Sequence, residues 1–452
     1  MPTSIQDLPD ELLVEIASHV PDKRDLSNAS KAGSYPLKLA FQEQLFSSIS
    51  FDCPERSFCK LFSLVHSPDP ATRERLTGHI KTVNIRNSHN ESLIYWNDSS
   101  PAQVIPREVA HTLFLLPGLK TLQFTYTTFD WDGLKPRQIR KILVLFSLKT
   151  LRNLTDLSLP NKRFPLCILP FCSNIKFLDM RDYLADTTVL PNEENHPHLP
   201  GRLNTLPLSS TCISLKSLHL AGLALISYFT TFASENRNIC CRAVDLHYLD
   251  GLANGTPQGR APSTIVGRFF QNVGGSIKEL RLHITRFQCD NGTRISSEDL
   301  LSLVRLKSLE LTLTVDMVTS QSNIVACLRD WLLPFLKTLI RLQKIKRLTI
   351  TYEIHVMRYV TSPDLGLLSG VLVTLDKVIA NRSLKEFNCY VVVTRADRVR
   401  EHGTGCWKGG TLRDGNPTEP LSKYFYKSTQ AGVKVNVAIF NFTSTKGSST
   451  VE

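Results

Sequence analysis

The segment LKSLHL, residues Leu215 to Leu220, places apolar side chains at positions i, i+3 and i+5. The last two alternate as on a short strand, so both point to one face, and the first turns the chain into it. The same spacing returns on either side. Toward the N-terminus it reads Ile175/Leu178/Met180, Leu154/Leu157/Leu159, Leu119/Leu122/Phe124 and Ile80/Val83/Ile85. Toward the C-terminus it reads Cys241/Val244/Leu246, Ile277/Leu280/Leu282, Leu306/Leu309/Leu311, Ile345/Leu348/Ile350 and Leu384/Phe387/Cys389. One such unit cannot bury its own apolar face, whereas stacked units share a continuous core. The pattern therefore predicts an α/β solenoid over residues 76–400, a ladder of parallel strands with helices on its convex side.

The spacing resembles the leucine-rich-repeat core L-x-x-L-x-L, whose units run to about 20–29 residues. Successive starts here differ by 21 to 40 residues, so the resemblance is to an irregular, long-repeat form of that solenoid. The extra residues are predicted as convex-side helices, for example at 262–272, 296–304 and 324–342. Residues 185–211 contain four prolines and read as a loop inserted between two units. Residues 401–420 are Gly/Pro-rich and read as a loop. In 421–452, the alternating stretch Val433–Phe442 is predicted to cap the ladder, with a frayed tail after it.

The N-terminal stretch IQDLPDELLVEIASHVPDKRDLSNASKAGSYPLKLAFQEQLFSSISF (5–51) divides into three short helices. Pro9 opens the first, with Asp10 and Glu11 at the positive end of its dipole, and Leu12, Leu13, Ile16 and Val20 recur at helical spacing. Pro21 stops it, Asp22 opens a second helix carrying Leu26 and Ala29, and Gly33 ends that one. Pro36 opens a third, with Leu37, Phe41, Leu45 and Ile49 predicted along one face. Three helices in 1–50 give a marginal core that a partner ordinarily completes. Residues 51–75 read as a linking helix or spacer.

This stretch resembles an F-box: the Leu8-Pro9-x-Glu11-Leu12-Leu13-x-x-Ile16 opening, the Asp25-Leu26 step, and a third helix ending Leu45-Phe46-x-x-Ile49. The resemblance implies docking to the Skp-type adaptor of an SCF ubiquitin ligase and, through it, to a cullin scaffold. Leu8, Pro9, Leu12, Ile16 and Leu26 match motif positions that line or support that contact. The segment departs from the family pattern at Ala29, Lys31 and Ala32–Tyr35.

The chain of 452 residues carries a net charge of +12. Residues 1–50 hold four basic and seven acidic side chains, −3, so the rest carries +15. A basic body can attract nucleic acid, anionic membrane or acidic protein, but no Arg/Lys run with interleaved aromatics and no nucleic-acid motif occurs. The eleven cysteines show no zinc spacing, and Cys172, Cys212, Cys241 and Cys389 take apolar repeat positions, as thiols do in a reducing compartment. The start MPTSIQDLPDELL has no secretion-signal pattern, and no apolar run reaches membrane-spanning length. A cytoplasmic or nuclear protein is expected, with no membrane partner.

No Walker, Gly-x-Ser-x-Gly, His-Glu-x-x-His or kinase signature is present, and no HECT- or RING-type centre. Cys406 lies in a Gly-rich loop with nothing fixed beside it, and His196 and His198 beside Glu193 and Glu194 read as solvated. No catalytic residue, metal or cofactor is expected. The concave face falls to positions i+2, i+4 and i+6. In the middle units these supply Phe177, Asp179, Arg181, His219, Asp245, His247, Glu279, Arg281 and His283, the candidate client-binding residues. A second feature stands at i+1: Lys81, Lys120, Thr155, Lys176, Lys216, Arg242, Lys278, Lys307, Lys346 and Lys385, nine of ten basic. The simpler reading is a solvated turn position.

Three functions fit these features. The first is a substrate receptor that docks the adaptor through its F-box and holds a client protein on the solenoid. The second is a repeat scaffold binding an acidic protein or nucleic acid through the basic surface, with the N-terminal helices as a cap. The third is an F-box protein that binds the adaptor without delivering a client.

Overall fold

Local signals at the N-terminus set the first helices. The chain enters α1 (Asp10–Ser18) through Pro9, whose φ of −54° suits a helix start, with Asp10 and Glu11 in the first turn. Asp22 caps α2 (Lys23–Ala32), its carboxylate accepting from the Arg24 N–H at 2.7 Å. Pro36 lies in the first turn of α3 (Tyr35–Ser47). The three helices close on Ala17, Leu26 and Phe41, with Val20, Ala29, Leu37 and Leu45 packed around them.

The structure, a computed structural model, describes residues 8–52, 61, 63, 65–86, 116–125, 153–159, 169, 172, 174–181, 213–235, 239–249, 262–285, 299–316, 333, 336–337, 345–356, 365–380, 384–395, 417–420 and 425–442. The chain forms two units, 1–181 with 195–215, and 182–194 with 216–452. The proline-containing segment 185–211, most of 324–342 and residues 401–416 lie outside the described residues.

In the first unit one expectation is corrected. Ile49 is not on the third helix. It lies in β1 (Ser48–Asp52), which pairs in parallel with the later strand at 82–86 so that Ile49 meets Val83. The reason is readable: Ser48, Ile49, Ser50 and Phe51 alternate with period two, and Phe46/Ile49/Phe51 repeats the i, i+3, i+5 spacing. The ladder therefore starts at Ser48 rather than at 76. Helix α4 (Pro70–His79) leads into β2 (Thr82–Arg86), followed by β3 (Thr121–Thr125), β4 (Asp156–Leu159) and β5 (Phe177–Arg181). Their parallel register aligns Val83, Leu122, Leu157 and Leu178, all buried. Gly118 is required by close packing of successive turns, since a Cβ there would stand 2.5 Å from the Gly78 carbonyl oxygen.

The second unit runs β6 (Ile213–Ala221), α5 (Leu223–Glu235), β7 (Ile239–Leu249), α6 (Pro262–Val273), β8 (Glu279–Thr285), β9 (Ser308–Asp316), β10 (Arg347–Val356), α7 (Leu365–Ala380) and β11 (Glu386–Arg395). The helix predicted at 262–272 is α6. At 296–304 the described part is a short 3-10 helix, Asp299–Ser302, which delivers Leu303 to the core. Parallel pairing stacks Val244, Leu280, Leu309, Leu348 and Phe387 in one inward row, and Leu246, Leu282, Leu311, Ile350 and Cys389 in the next. Every one of these ten is at most 2% exposed, so both rows are buried. Phe229 of α5 and Phe269 of α6 meet at 6.2 Å between ring centroids and supply much of the helix-side packing.

The chain then adds β12 (Pro417–Pro420), α8 (Tyr426–Gln430) and β13 (Lys434–Phe442). β13 extends the parallel ladder from β11, Val435 beside Phe387, and β12 runs antiparallel along it. The end of the stretch expected to be a loop is thus an edge strand, a position that tolerates proline because one side needs no N–H donor. Buried Asp376 of α7 ties down α8, accepting from the backbone N–H of Ser428 at 2.8 Å and of Lys427 at 3.0 Å. Gly432, with φ +79°, turns the chain from α8 into β13.

Candidate functional site

Helix α1 has two apolar faces. Leu13 and Ala17 are fully buried, Ala17 against Leu26 and Phe41 of the other two helices, while Leu12 is 50% exposed. Pro9 is exposed beside it, and Leu8 and Ile16 are half-buried. Leu26, expected to line or support the same contact, sits inside the three-helix core. Four of the five adaptor-site candidates are thus accessible to a partner, and the fifth supports them from behind.

The ladder face opposite the helices follows from strand alternation: with i+3 and i+5 inward, i+4 and i+6 must point the other way. In the first unit Phe177 is 43% exposed and Asp179 is half-buried, whereas the Arg181 side chain lies outside the described residues. In the second unit the predicted residues come together. His219 Nδ1 lies 3.0 Å from Asp245 Oδ2. On the next strand in register with Asp245 is Arg281, whose Nε lies 3.0 Å from Glu310 Oε2. The row continues as Asn388 Nδ2 donating to Thr349 Oγ1 at 3.2 Å and Asn436 Nδ2 donating to Asn388 Oδ1 at 2.7 Å. One step along the strands, the His247 and His283 rings stack with centroids 4.3 Å apart. Behind them Thr314 donates to Glu353 at 2.9 Å, and Glu353 lies 4.0 Å from His283 Nε2. Glu279 is exposed and joins none of these contacts.

The packing sets the protonation of this seam. Burial, aided by the charges of His283 and His219, pushes His247 down to about 4. Burial also lowers His283, against the opposing pull of Asp245. For Asp245 burial alone would raise the carboxyl, but the His219 hydrogen bond and the charges of His219, Arg281 and His283 outweigh it, and the group is lowered. Both lowered imidazoles are therefore neutral at pH 7. Glu310, Thr314 and Glu353 were missed from the sequence, although Glu310 occupies the same i+4 position one unit beyond those considered.

The i+1 residues occupy the entrance edge of the strands. In the first unit the Lys120 N–H donates to the Lys81 carbonyl, Thr155 to Lys120, and Lys176 to Thr155, each at 2.8 Å. Lys81 is also engaged by its side chain, 2.9 Å from Glu43. In the second unit Lys278 donates to Arg242, Lys307 to Lys278, Lys346 to Lys307 and Lys385 to Lys346, at 2.7 to 2.9 Å. Their side chains are exposed, Lys278 partly so. Among the described residues none of these five forms an ion pair.

Cys172, Cys241 and Cys389 are core residues; burial pushes the thiols of Cys172 and Cys389 up to about 12, and that of Cys241 up as well. Cys212, Cys406, Glu193, Glu194, His196 and His198 lie outside the described residues. Among the described residues no group of three or more His, Cys, Asp or Glu is placed to hold a metal, and no helix is long and apolar enough to cross a membrane. No protein-family model matches the chain, and no curated protein matches its sequence.

Proposed function

We propose that this protein is a non-catalytic receptor subunit. In this reading its N-terminal helices act as an F-box that docks a Skp-type adaptor, linking it to a cullin scaffold, and its irregular leucine-rich-repeat ladder holds a client protein. The observation that carries the reading is Leu12, a half-exposed leucine beside exposed Pro9 on a helix whose other face is fully buried. A small three-helix core with an apolar face left outward is what a partner completes. The receptor's contribution to ubiquitin transfer would be effective concentration, by making transfer to the bound client nearly intramolecular.

The seam on the ladder lends no support to a catalytic role. A His–Asp pair orients an imidazole for base catalysis only if the second nitrogen reaches substrate. Here His219 Nε2 is itself buried. Phe177 in the first unit and Glu279 in the second, each exposed on its own strand, suit contact with a protein client better than a reaction.

Co-purification with the Skp-type adaptor tests the reading, comparing the full chain with a Leu8→Ala/Pro9→Ala/Leu12→Ala variant matched by circular dichroism. Retention by the parent and loss by the variant is the expected result. Failure of the parent to hold the adaptor overturns the proposal, as does equal retention by both.

A further inference from the structure

In the second unit the residue after the first core position is basic in every repeat: Lys216, Arg242, Lys278, Lys307, Lys346 and Lys385. Lys and Arg make up 53 of 452 residues, so composition does not account for a column of one sign. Solvent exposure does not account for it either, because Ser, Asn, Gln or Glu would serve an exposed turn equally well. Backbone hydrogen bonds join five of these residues, Arg242 through Lys385, carbonyl to N–H without interruption. Their roots are consequently held at the strand spacing of about 4.8 Å. Like charges on neighbouring strands are destabilising, so the column carries an electrostatic cost that no ion pair among the described residues removes. Arg347 and Lys434 stand at the next position, against Glu279 and Glu386. The edge as a whole stays strongly positive.

We infer that this column binds an acidic polypeptide segment, laid across the entrance ends of the strands with its Asp and Glu side chains among the lysine ammoniums. Two observations favour a polypeptide over nucleic acid. The residues flanking the column (Ala243, Ile277, Glu279, Leu306, Ser308, Ile345, Arg347, Leu384, Glu386) include no aromatic ring on which a base could stack. Four of the five stacked residues are lysines, compact point charges, rather than the forked arginines suited to phosphate. The inference does not depend on adaptor docking, because the column and α1 are separate parts of the chain.

The test is fluorescence anisotropy with labelled deca-glutamate and, separately, a labelled oligouridylate of the same length, titrated with the full chain at several salt concentrations. Two variants are compared: Lys307→Gln/Lys346→Gln/Lys385→Gln in the column, and Arg24→Gln/Lys31→Gln/Lys38→Gln on the N-terminal helices, which removes the same charge elsewhere. Circular dichroism is matched for all three proteins. The expected result is binding of deca-glutamate that weakens with salt and falls about tenfold in the column variant, the sum of three exposed ion pairs of ordinary strength, with little change in the control. No binding of deca-glutamate at low salt overturns the inference. Equal losses in both variants overturn it too, since net charge would then be the cause. Tighter binding of the oligouridylate overturns it in favour of nucleic acid.

Discussion

Across the second unit, the row His219, Asp245, Arg281, Glu310 alternates donor and acceptor from strand to strand, whereas the column Arg242, Lys278, Lys307, Lys346, Lys385 keeps one sign throughout. Both cross successive strands at the same lateral spacing, the row within the strands and the column at their entrance, so spacing does not separate them. Sequence does. Alternation lets neighbours satisfy each other, as in the 3.0 Å contacts of His219 with Asp245 and of Arg281 with Glu310. A row closed in this way has less capacity left for a partner and more value as lateral cross-bracing. The single-sign column forms no ion pair among the described residues, and its capacity is directed outward. Polar residues on a strand face are therefore not interchangeable as binding candidates; what their lateral neighbours are matters as much as exposure.

The largest effect tests what both rows depend on. Leu218, fully buried, helps hold the strands at the spacing that sets every lateral contact. Leu218→Ala should cost about 2–5 kcal/mol in urea denaturation. A loss below about 1 kcal/mol would mean that a core leucine of this kind is not packed as described, and the contrast between the rows would lose its frame.

The next effect concerns the paired region and is read against pH. An unfolded imidazole titrates near about 6.5, while His247 in the fold, faced by His283, His219, Asp245 and Glu353, is lowered to about 4. Between those values the unfolded chain binds more protons than the folded one, so stability falls as pH falls. Its contribution is complete above the upper value and gone below the lower. The urea midpoint should decline across that window, and His247→Gln should flatten the decline. A parent midpoint that stays level would show that the stack is not held in solution.

The smallest effects distinguish the rows directly. Glu310→Gln removes the partner of Arg281, and because both side chains are well exposed it should cost only about 0.2–1 kcal/mol, less at high salt. Lys346→Gln should cost nothing, or stabilise slightly by relieving like-charge repulsion. If the two substitutions destabilise equally, the column is paired after all.

Much of this was legible beforehand. All ten spacings correspond to strands, and every core position among the described residues is buried, from Ile80 to Cys389. The first rung, Phe46/Ile49/Phe51, is hidden in the sequence because apolar residues from Leu37 through Ile49 also fit a helical face. The period of two begins only at Ser48, too late to outweigh the longer pattern before it. Motif position alone does not say whether Leu26 lines the expected contact or supports it, because it says nothing of which helix face meets the core; the packing puts Leu26 inside.

What the sequence determined by itself is which side chains face inward, because the i+3 and i+5 alternation is a property of the local backbone and holds whatever the units do next. It also determined the sign of the edge column, since position i+1 is set by the same count. Only the tertiary structure decided who meets whom across strands: that His247 stacks on His283, that Glu310 rather than Glu279 answers Arg281, and that Glu353 reaches His283 past Thr314. Those partnerships depend on the register between units whose starts lie 21 to 40 residues apart. That register is fixed by stacking of the shared core and not by anything local to either strand.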